Sequence, residues 1–227
     1  MRLTALAASL LTAFAAAPAF AAEEPASPIA ANFTMANNYF YRGLTQTDHK
    51  PALQGGFDYA HASGLYLGTW GSNVSWLDAS GKSSAEIDVY GGYRFEAGPL
   101  AFDVGALQYF YPGSKVEGAT SADTLELYAK TGWKWFTAKI SYSTTNLFGV
   151  ENSKGSIYPE FGASVELGAG FTAVANVGRQ FIENNAGDYN DFKLGVTKEY
   201  SGLSFGAYVI DTDITDPRAL LTVSKSF

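Results

Sequence analysis

The chain has 227 residues, of which 47% are hydrophobic, 15% aromatic and 16% charged, with 24 Gly, 8 Pro and no Cys. A charged fraction below the usual ~25%, with abundant glycine and aromatics, points to β-structure with tight turns and away from a helical domain. The absence of Cys excludes a disulfide scaffold, a thiolate metal site and a thiol nucleophile, and a formal net charge of −7 argues against a nucleic-acid partner.

Residues 1–21 read as a signal peptide. Arg2 precedes an uncharged Ala/Leu-rich run from Leu3 to Phe20, Pro18 breaks it, and Ala19-Phe20-Ala21 fits the small-x-small cleavage rule. The competing reading is an uncleaved membrane anchor, which the cleavage pattern and the dominance of Ala disfavour. Cleavage after Ala21 leaves 206 residues (227 − 21), and the loss of Arg2 takes the formal charge to −8. Residues 22–31 then form a polar periplasmic N-terminal segment, and 32–227 the folded domain.

From residue 32 onward apolar and polar residues alternate with period two, and turn signals interrupt the pattern at regular intervals. Twelve segments read as strands, near 32–44, 52–62, 64–76, 84–97, 99–111, 123–134, 135–148, 156–168, 170–182, 189–200, 203–213 and 217–227. In the fourth, Ile87, Val89, Gly91, Tyr93 and Phe95 share one face, and Glu86, Asp88, Tyr90, Gly92 and Arg94 the other. Most segments are about 11–13 residues long, against about 5–6 for strands of soluble proteins and about 9–11 for a tilted membrane-spanning strand. The connections alternate short (62–64, 96–98, 134–135, 168–170, 201–202) and long (45–51, 77–83, 112–122, 149–155, 183–188, 212–216).

These regularities predict an all-β fold: a closed antiparallel transmembrane β-barrel of twelve strands, with short periplasmic turns and longer extracellular loops. A soluble β-sandwich is the alternative, but it predicts shorter strands and no asymmetry of loop length. Phe227 closes the last strand on the face of Ala219, Leu221, Val223 and Lys225, where it is expected to engage the barrel-assembly machinery. Tyr59, Tyr66, Phe95, Trp133, Phe136, Phe171 and Tyr200 lie near short turns, and Tyr39, Tyr41, Trp76, Phe110 and Phe148 near long loops. They are expected to form two girdles against outer-membrane lipid.

The string YFYRGLTQT (39–47), followed by PALQGGFDY (51–59), SGLYLGTWGSNV (63–74) and EIDVYGGY (86–93), resembles the TorF family of Gram-negative outer-membrane proteins described as porins. The resemblance continues through YFYPG (109–113), SYSTTNLFG (141–149) and SKSF (224–227), and so covers nearly all of the chain after the leader. It implies an outer-membrane barrel with a porin role and supplies no site residue.

A twelve-stranded barrel has a backbone radius on the order of 12 Å, which leaves a narrow lumen. The inward face is predicted to carry the acids Asp58, Glu86, Asp88, Asp103, Glu126, Glu160, Glu166, Asp191 and Glu199 and the bases Arg42, Arg94, Lys130, Lys139 and Lys193, nine against five, a net of −4. A two-residue turn at Lys134-Trp135 sets Trp133 opposite Phe136 and Lys130 opposite Lys139, a like-charge pair for Glu166 to relieve. Arg94 should reach Asp103, and Arg42, placed near the outer rim, should pair with Asp58 or Glu86. The charges read either as a transverse field acting on a small solute or ion, with weak cation preference, or as structural salt bridges that hold the wall.

An enzyme is not expected, since His49 in the first outer loop and His61 beside a periplasmic turn lie at opposite ends of the barrel. Asp211, Asp213 and Asp216 lack the spacing of a calcium loop, so neither metal nor cofactor is expected. The function expected is passive diffusion of small solutes or ions through a mildly acidic lumen. The alternatives are a structural or adhesion role through the outer loops and, third, a lipid-modifying enzyme.

Overall fold

The computed structural model describes residues 27–77, 83–114, 120–185 and 187–227, so the leader expected over 1–21 lies outside the described residues. In chain order the strands are β1 (Ile29–Ala36), β2 (Phe40–Tyr41), β3 (Leu44–Thr45), β4 (Ala52–Ala60), β5 (Leu65–Asn73), β6 (Ala85–Ala97) and β7 (Leu100–Phe110). They continue as β8 (Thr124–Trp133), β9 (Phe136–Ser143), β10 (Ile157–Gly168), β11 (Phe171–Gln180), β12 (Tyr189–Tyr200), β13 (Leu203–Thr212) and β14 (Thr215–Ser226). Twelve of them, β1 and β4 to β14, form one closed antiparallel barrel. β1 seals it, pairing with β14 from Asn32↔Ser226 to Ala36↔Thr222 and with β4 from Ile29↔Tyr59 to Ala36↔Ala52.

Alternation places one apolar and one polar set on opposite faces, and the apolar set faces outward. Leu194 is 66% exposed and Phe161 62%, whereas Glu86 on the inner face is 2% exposed. A soluble sandwich has the reverse arrangement, so the outer belt is a lipid-facing surface. Inner positions favour tyrosine beside glycine. Tyr66 sits directly opposite Gly92, Tyr90 opposite Gly68, Tyr128 opposite Gly105 and Tyr208 opposite Gly195. In each pair the phenol ring lies over its glycine, in the space that a Cβ would fill. A large side chain can thus lie flat on the wall while its hydroxyl reaches a polar partner.

The five short connections fall where expected, although that after β6 is the two-residue turn Gly98-Pro99 instead of 96–98 and that after β4 spans 61–64. Ser201-Gly202, with φ of +52° and +74°, has the doubly left-handed form of a type I′ hairpin, which matches strand twist. Three features differ from the sequence reading. β1 ends at Ala36 instead of near residue 44, β9 ends at Ser143 instead of near 148, and the last outer connection is a two-residue turn, Asp213-Ile214, instead of a loop over 212–216. The expected girdles also change. Tyr59, Phe95, Phe110, Trp133, Phe136, Phe171 and Tyr200 are exposed on the outside, but Tyr39, Tyr41, Tyr66, Trp76 and Phe148 are drawn into the interior. Position along a strand sets the height of an aromatic ring in the membrane. Tyr66 takes the inner face of β5 by alternation between the exposed Leu65 and Leu67, whereas Tyr39, Tyr41 and Phe148 lie at 37–51 and 144–156, where the path turns inward.

Candidate functional site

The first outer connection folds down into the lumen. Phe40↔Thr45 and Tyr41↔Leu44 pair β2 with β3, and Arg42 and Gly43, with φ of +45° and +79°, make the tight turn at the tip. The base is knotted by polar side chains. Asn38 Oδ1 accepts from the hydroxyl of Thr45 at 2.7 Å and lies 2.8 Å from that of Thr47, which itself accepts from the Tyr39 N–H at 3.0 Å. Gly43 fits because a Cβ there would come within 2.8 Å of Asp191 Cβ and would also meet Thr212. Only glycine tolerates both that approach and the left-handed backbone.

The hairpin reaches across the barrel to the opposite wall. Arg42 Nη2 lies 2.7 Å from Glu126 Oε2 on β8, and Nη1 donates to Gln180 Oε1 on β11 at 2.7 Å. The guanidinium stacks 4.2 Å from the ring centroid of Tyr158 on β10 and 4.8 Å from that of Tyr41. Tyr158 in turn donates to Asp191 Oδ2 at 2.8 Å. Higher up, the Tyr39 and Tyr111 hydroxyls each donate to one oxygen of Glu86 at 3.0 Å. Burial, and then the Glu86 and Asp88 carboxylates, push both phenols well above the ordinary tyrosine range, which keeps them protonated as donors. Tyr41 and Tyr109 share a hydroxyl contact at 2.9 Å. The 144–156 loop closes over this layer, with the Phe148 ring 5.3 Å from that of Tyr41 and 5.1 Å from that of Tyr109.

The predicted lumen residues fall into layers. Arg42, Glu86, Asp88, Glu126, Glu160 and Asp191 are buried around or just below the hairpin. Asp58, Arg94, Asp103, Lys130, Lys139 and Lys193 are half-buried, and Glu166 and Glu199 are exposed at the short-turn end. Exposure of the inner-face charges therefore rises from the hairpin layer toward the short-turn end. A cavity of about 50 Å³ remains under the hairpin tip, bordered by Arg42, Tyr158, Asn176, Asp191 and Lys193. It has room for water but not for a sugar-sized solute.

Several pairings are as the sequence predicts. Arg94 Nε reaches Asp103 Oδ2 at 3.3 Å, and Trp133↔Phe136 and Lys130↔Lys139 stand in register. Others are corrected. Arg42 pairs with Glu126 and not with Asp58 or Glu86, because it sits on a hairpin tip and not on the wall. Asp58 accepts from Tyr90 at 2.7 Å, and Glu86 from the two tyrosines above. Glu160, in register with Lys139 and 3.7 Å from its Nζ, relieves the lysine pair, while Glu166 lies farther toward the mouth. His49 and His61 are exposed at opposite ends. Asp213 is occupied in capping Asn190, whose backbone N–H it accepts at 2.8 Å; that bond and a second from the Asn190 side chain hold its carboxyl below the usual range. The sequence reading missed Tyr109, Tyr111, Tyr158 and Gln180 as site residues. The signals for the hairpin were the Asn37-Asn38 and Arg42-Gly43 steps, both turn-forming pairs inside an otherwise strand-like run.

A family model described as "Bacterial protein of unknown function (Gcw_chp)" matches residues 22–226. No curated protein matches the chain. Among solved structures it is similar to the KdgM porin, with a TM-score of 0.56 at 8% identity over 88% of this chain and 98% of that one. The same porin in complex with disordered oligogalacturonate gives 0.56 at 9% identity and the same coverage. A protein from work on in-meso crystallization of membrane proteins gives 0.54 at 5% identity, over 87% of this chain and 83% of that one. Likeness at these identities concerns the barrel fold.

Proposed function

We propose that this chain, which belongs to the Gcw_chp family of bacterial proteins, is an outer-membrane channel for small solutes or ions, as its resemblance to the TorF family implies. The observation that carries the reading is the graded exposure of the inner face: charged and tyrosine-rich, open to water at the periplasmic mouth, and closed at mid-depth by a polar hairpin. The inward charges expected from the sequence are nine acids against five bases. That balance suits neutral or cationic solutes and does not suit a polyanion such as the oligogalacturonate bound by the KdgM porin.

Export through a cleaved leader and insertion by the barrel-assembly machinery at Phe227 complete this reading. Phe227 is 73% exposed at the end of β14, with Lys225 Nζ 5.0 Å from its ring centroid. No enzymatic step is assigned. A structural or adhesion role is the second reading, favoured by the filled outer half of the lumen. Planar-bilayer recording together with liposome swelling over a solute panel tests the proposal. Unitary conductance with cation preference is expected; absence of conductance by inserted, folded protein would overturn it.

A further inference from the structure

Resting on the channel reading above, we propose that the hairpin at residues 38–50 is a removable gate latched by Arg42, and that its withdrawal opens a cation path lined by Glu86, Asp88 and Glu126.

Three observations carry this. The barrel closes without the hairpin, because β1 pairs directly with both β14 and β4 up to Ala36↔Ala52, while β2 and β3 pair only with each other. Among the described residues, one backbone hydrogen bond ties the segment between Asn38 and Lys50 to the rest of the chain, from the Ser75 N–H to the Gln46 carbonyl at 2.8 Å. The segment can therefore swing about Asn37 and Pro51 without breaking a strand pair, which is a hinge motion of an element-terminal loop.

The docked state is also held at a cost. Arg42, Asp48 and His49 take left-handed backbone conformations, with φ of +45°, +48° and +63°, that the withdrawn loop need not keep. Arg42 Nε and Asp88 Oδ1 are both buried without a hydrogen-bond partner, although each lies in a layer dense with donors and acceptors. Buried polar atoms are almost always satisfied in a static core. What holds the hairpin down is thus concentrated in side-chain contacts: Arg42 with Glu126 and Gln180, Tyr39 with Glu86, and the Phe148 ring over Tyr41.

Withdrawal changes the lumen's charge as well as its width. Arg42 leaves with the hairpin, and Glu86 and Glu126 lose the donors that Tyr39 and Arg42 supplied. Asp88, 7% exposed in the closed state and with one oxygen already unsatisfied, then faces the vacated space from β6, two residues along from Glu86. β6 and β8 would present three carboxylates at one constriction, where a ring of acids selects cations.

Single-channel recording of the full-length protein in planar bilayers tests the proposal, with heat-modifiable gel mobility as the control for folding. Three proteins are compared: wild type, Arg42→Met, and a variant in which residues 38–50 are replaced by a short Gly-Ser linker. Wild type is expected to open rarely, Arg42→Met at least tenfold more often, and the linker variant to conduct continuously. The linker variant should show a cation-selective reversal potential in a KCl gradient, and Glu86→Gln, Asp88→Asn and Glu126→Gln introduced together should abolish that preference. If folded wild type and linker variant conduct alike, the gate is refuted while the channel reading stands. If neither conducts, the channel reading falls and the gate with it. Should the linker variant fail to fold, unchanged open probability in Arg42→Met overturns the latch, and an anion-selective open state overturns the carboxylate path.

Discussion

Arg42 and Glu126 meet at 2.7 Å in the middle of the barrel, their side chains 1% and 3% exposed, although one lies in the connection after β1 and the other on β8 across the lumen. This contact turns an outer loop into an interior element.

Removing one member of a buried ion pair leaves the other uncompensated, a loss of about 3–5 kcal/mol. Here the loss should fall on docking of the hairpin and not on the barrel, whose strand pairs do not use Arg42. Arg42→Met is expected to speed hydrogen exchange of hairpin amides such as Gln46 by about a hundredfold or more, the equivalent of ~3 kcal/mol, with barrel amides unchanged. Exchange measured by mass spectrometry on protein in lipid nanodiscs reads this directly. Arg42→Lys should not restore protection, because an ammonium cannot bridge Glu126 and Gln180 in one plane.

Gly43→Ala probes the tip by a different route. The new Cβ must sit within 2.8 Å of Asp191 Cβ, on a backbone held at φ +79°. An undocking cost of about 2 kcal/mol is expected, with the same rise in hairpin exchange and no change in charge. Wild-type protection in this variant would show that the tip is not seated against β12 and β13.

The vestibule offers a test of its charge arrangement. Lys130 and Lys139 face each other in register, and Glu160 lies 3.7 Å from Lys139 Nζ. Glu160→Gln should lower barrel stability by about 1–2 kcal/mol, and more at low salt. Adding Lys130→Met should recover most of that loss, because the like-charge pair is then gone. Urea unfolding in lipid vesicles, analysed as a double-mutant cycle, measures the coupling.

Tryptophan fluorescence reports which face meets lipid. Trp133 and Trp135 are 44% and 56% exposed at the short-turn end, while Trp70 is 4% exposed inside the barrel. In single-tryptophan variants, brominated acyl chains should quench Trp133 strongly and Trp70 hardly at all. Equal quenching would contradict the assignment of faces.

The barrel was legible in the sequence because strand length, period-two alternation and loop asymmetry all report one geometry. Turn arithmetic around Lys134-Trp135 even placed Lys130 opposite Lys139, and the short turn after β6 brought Arg94 within reach of Asp103. The Asn37-Asn38 and Arg42-Gly43 steps marked turns, but the path of the hairpin into the lumen was not legible. Tyr39 to Thr45 continues the alternation of β1, and a short strand pair inside a polar lumen has the same period as a wall strand. Alternation encodes that two faces differ, not what lies against each of them. Tyr39, Tyr41 and Phe148 were misplaced for the same reason, since a ring at the height of the interface can point toward lipid or into the lumen. The partner of Arg42 lay beyond reach because Glu126 is distant in sequence and becomes a neighbour only when the chain folds inward.

The central claim, that the hairpin seals the lumen, is tested most directly by cysteine accessibility, for which a chain without native Cys is well suited. Ser141 lies on the inner wall at mid-depth, 1% exposed, and Ser204 is half-buried on the inner face near the periplasmic end of β13. With a membrane-impermeant thiol reagent, Ser204→Cys should react and Ser141→Cys should stay unmodified from either side. Labelling of Ser141→Cys at a rate similar to that of Ser204→Cys would show an open lumen and contradict the account.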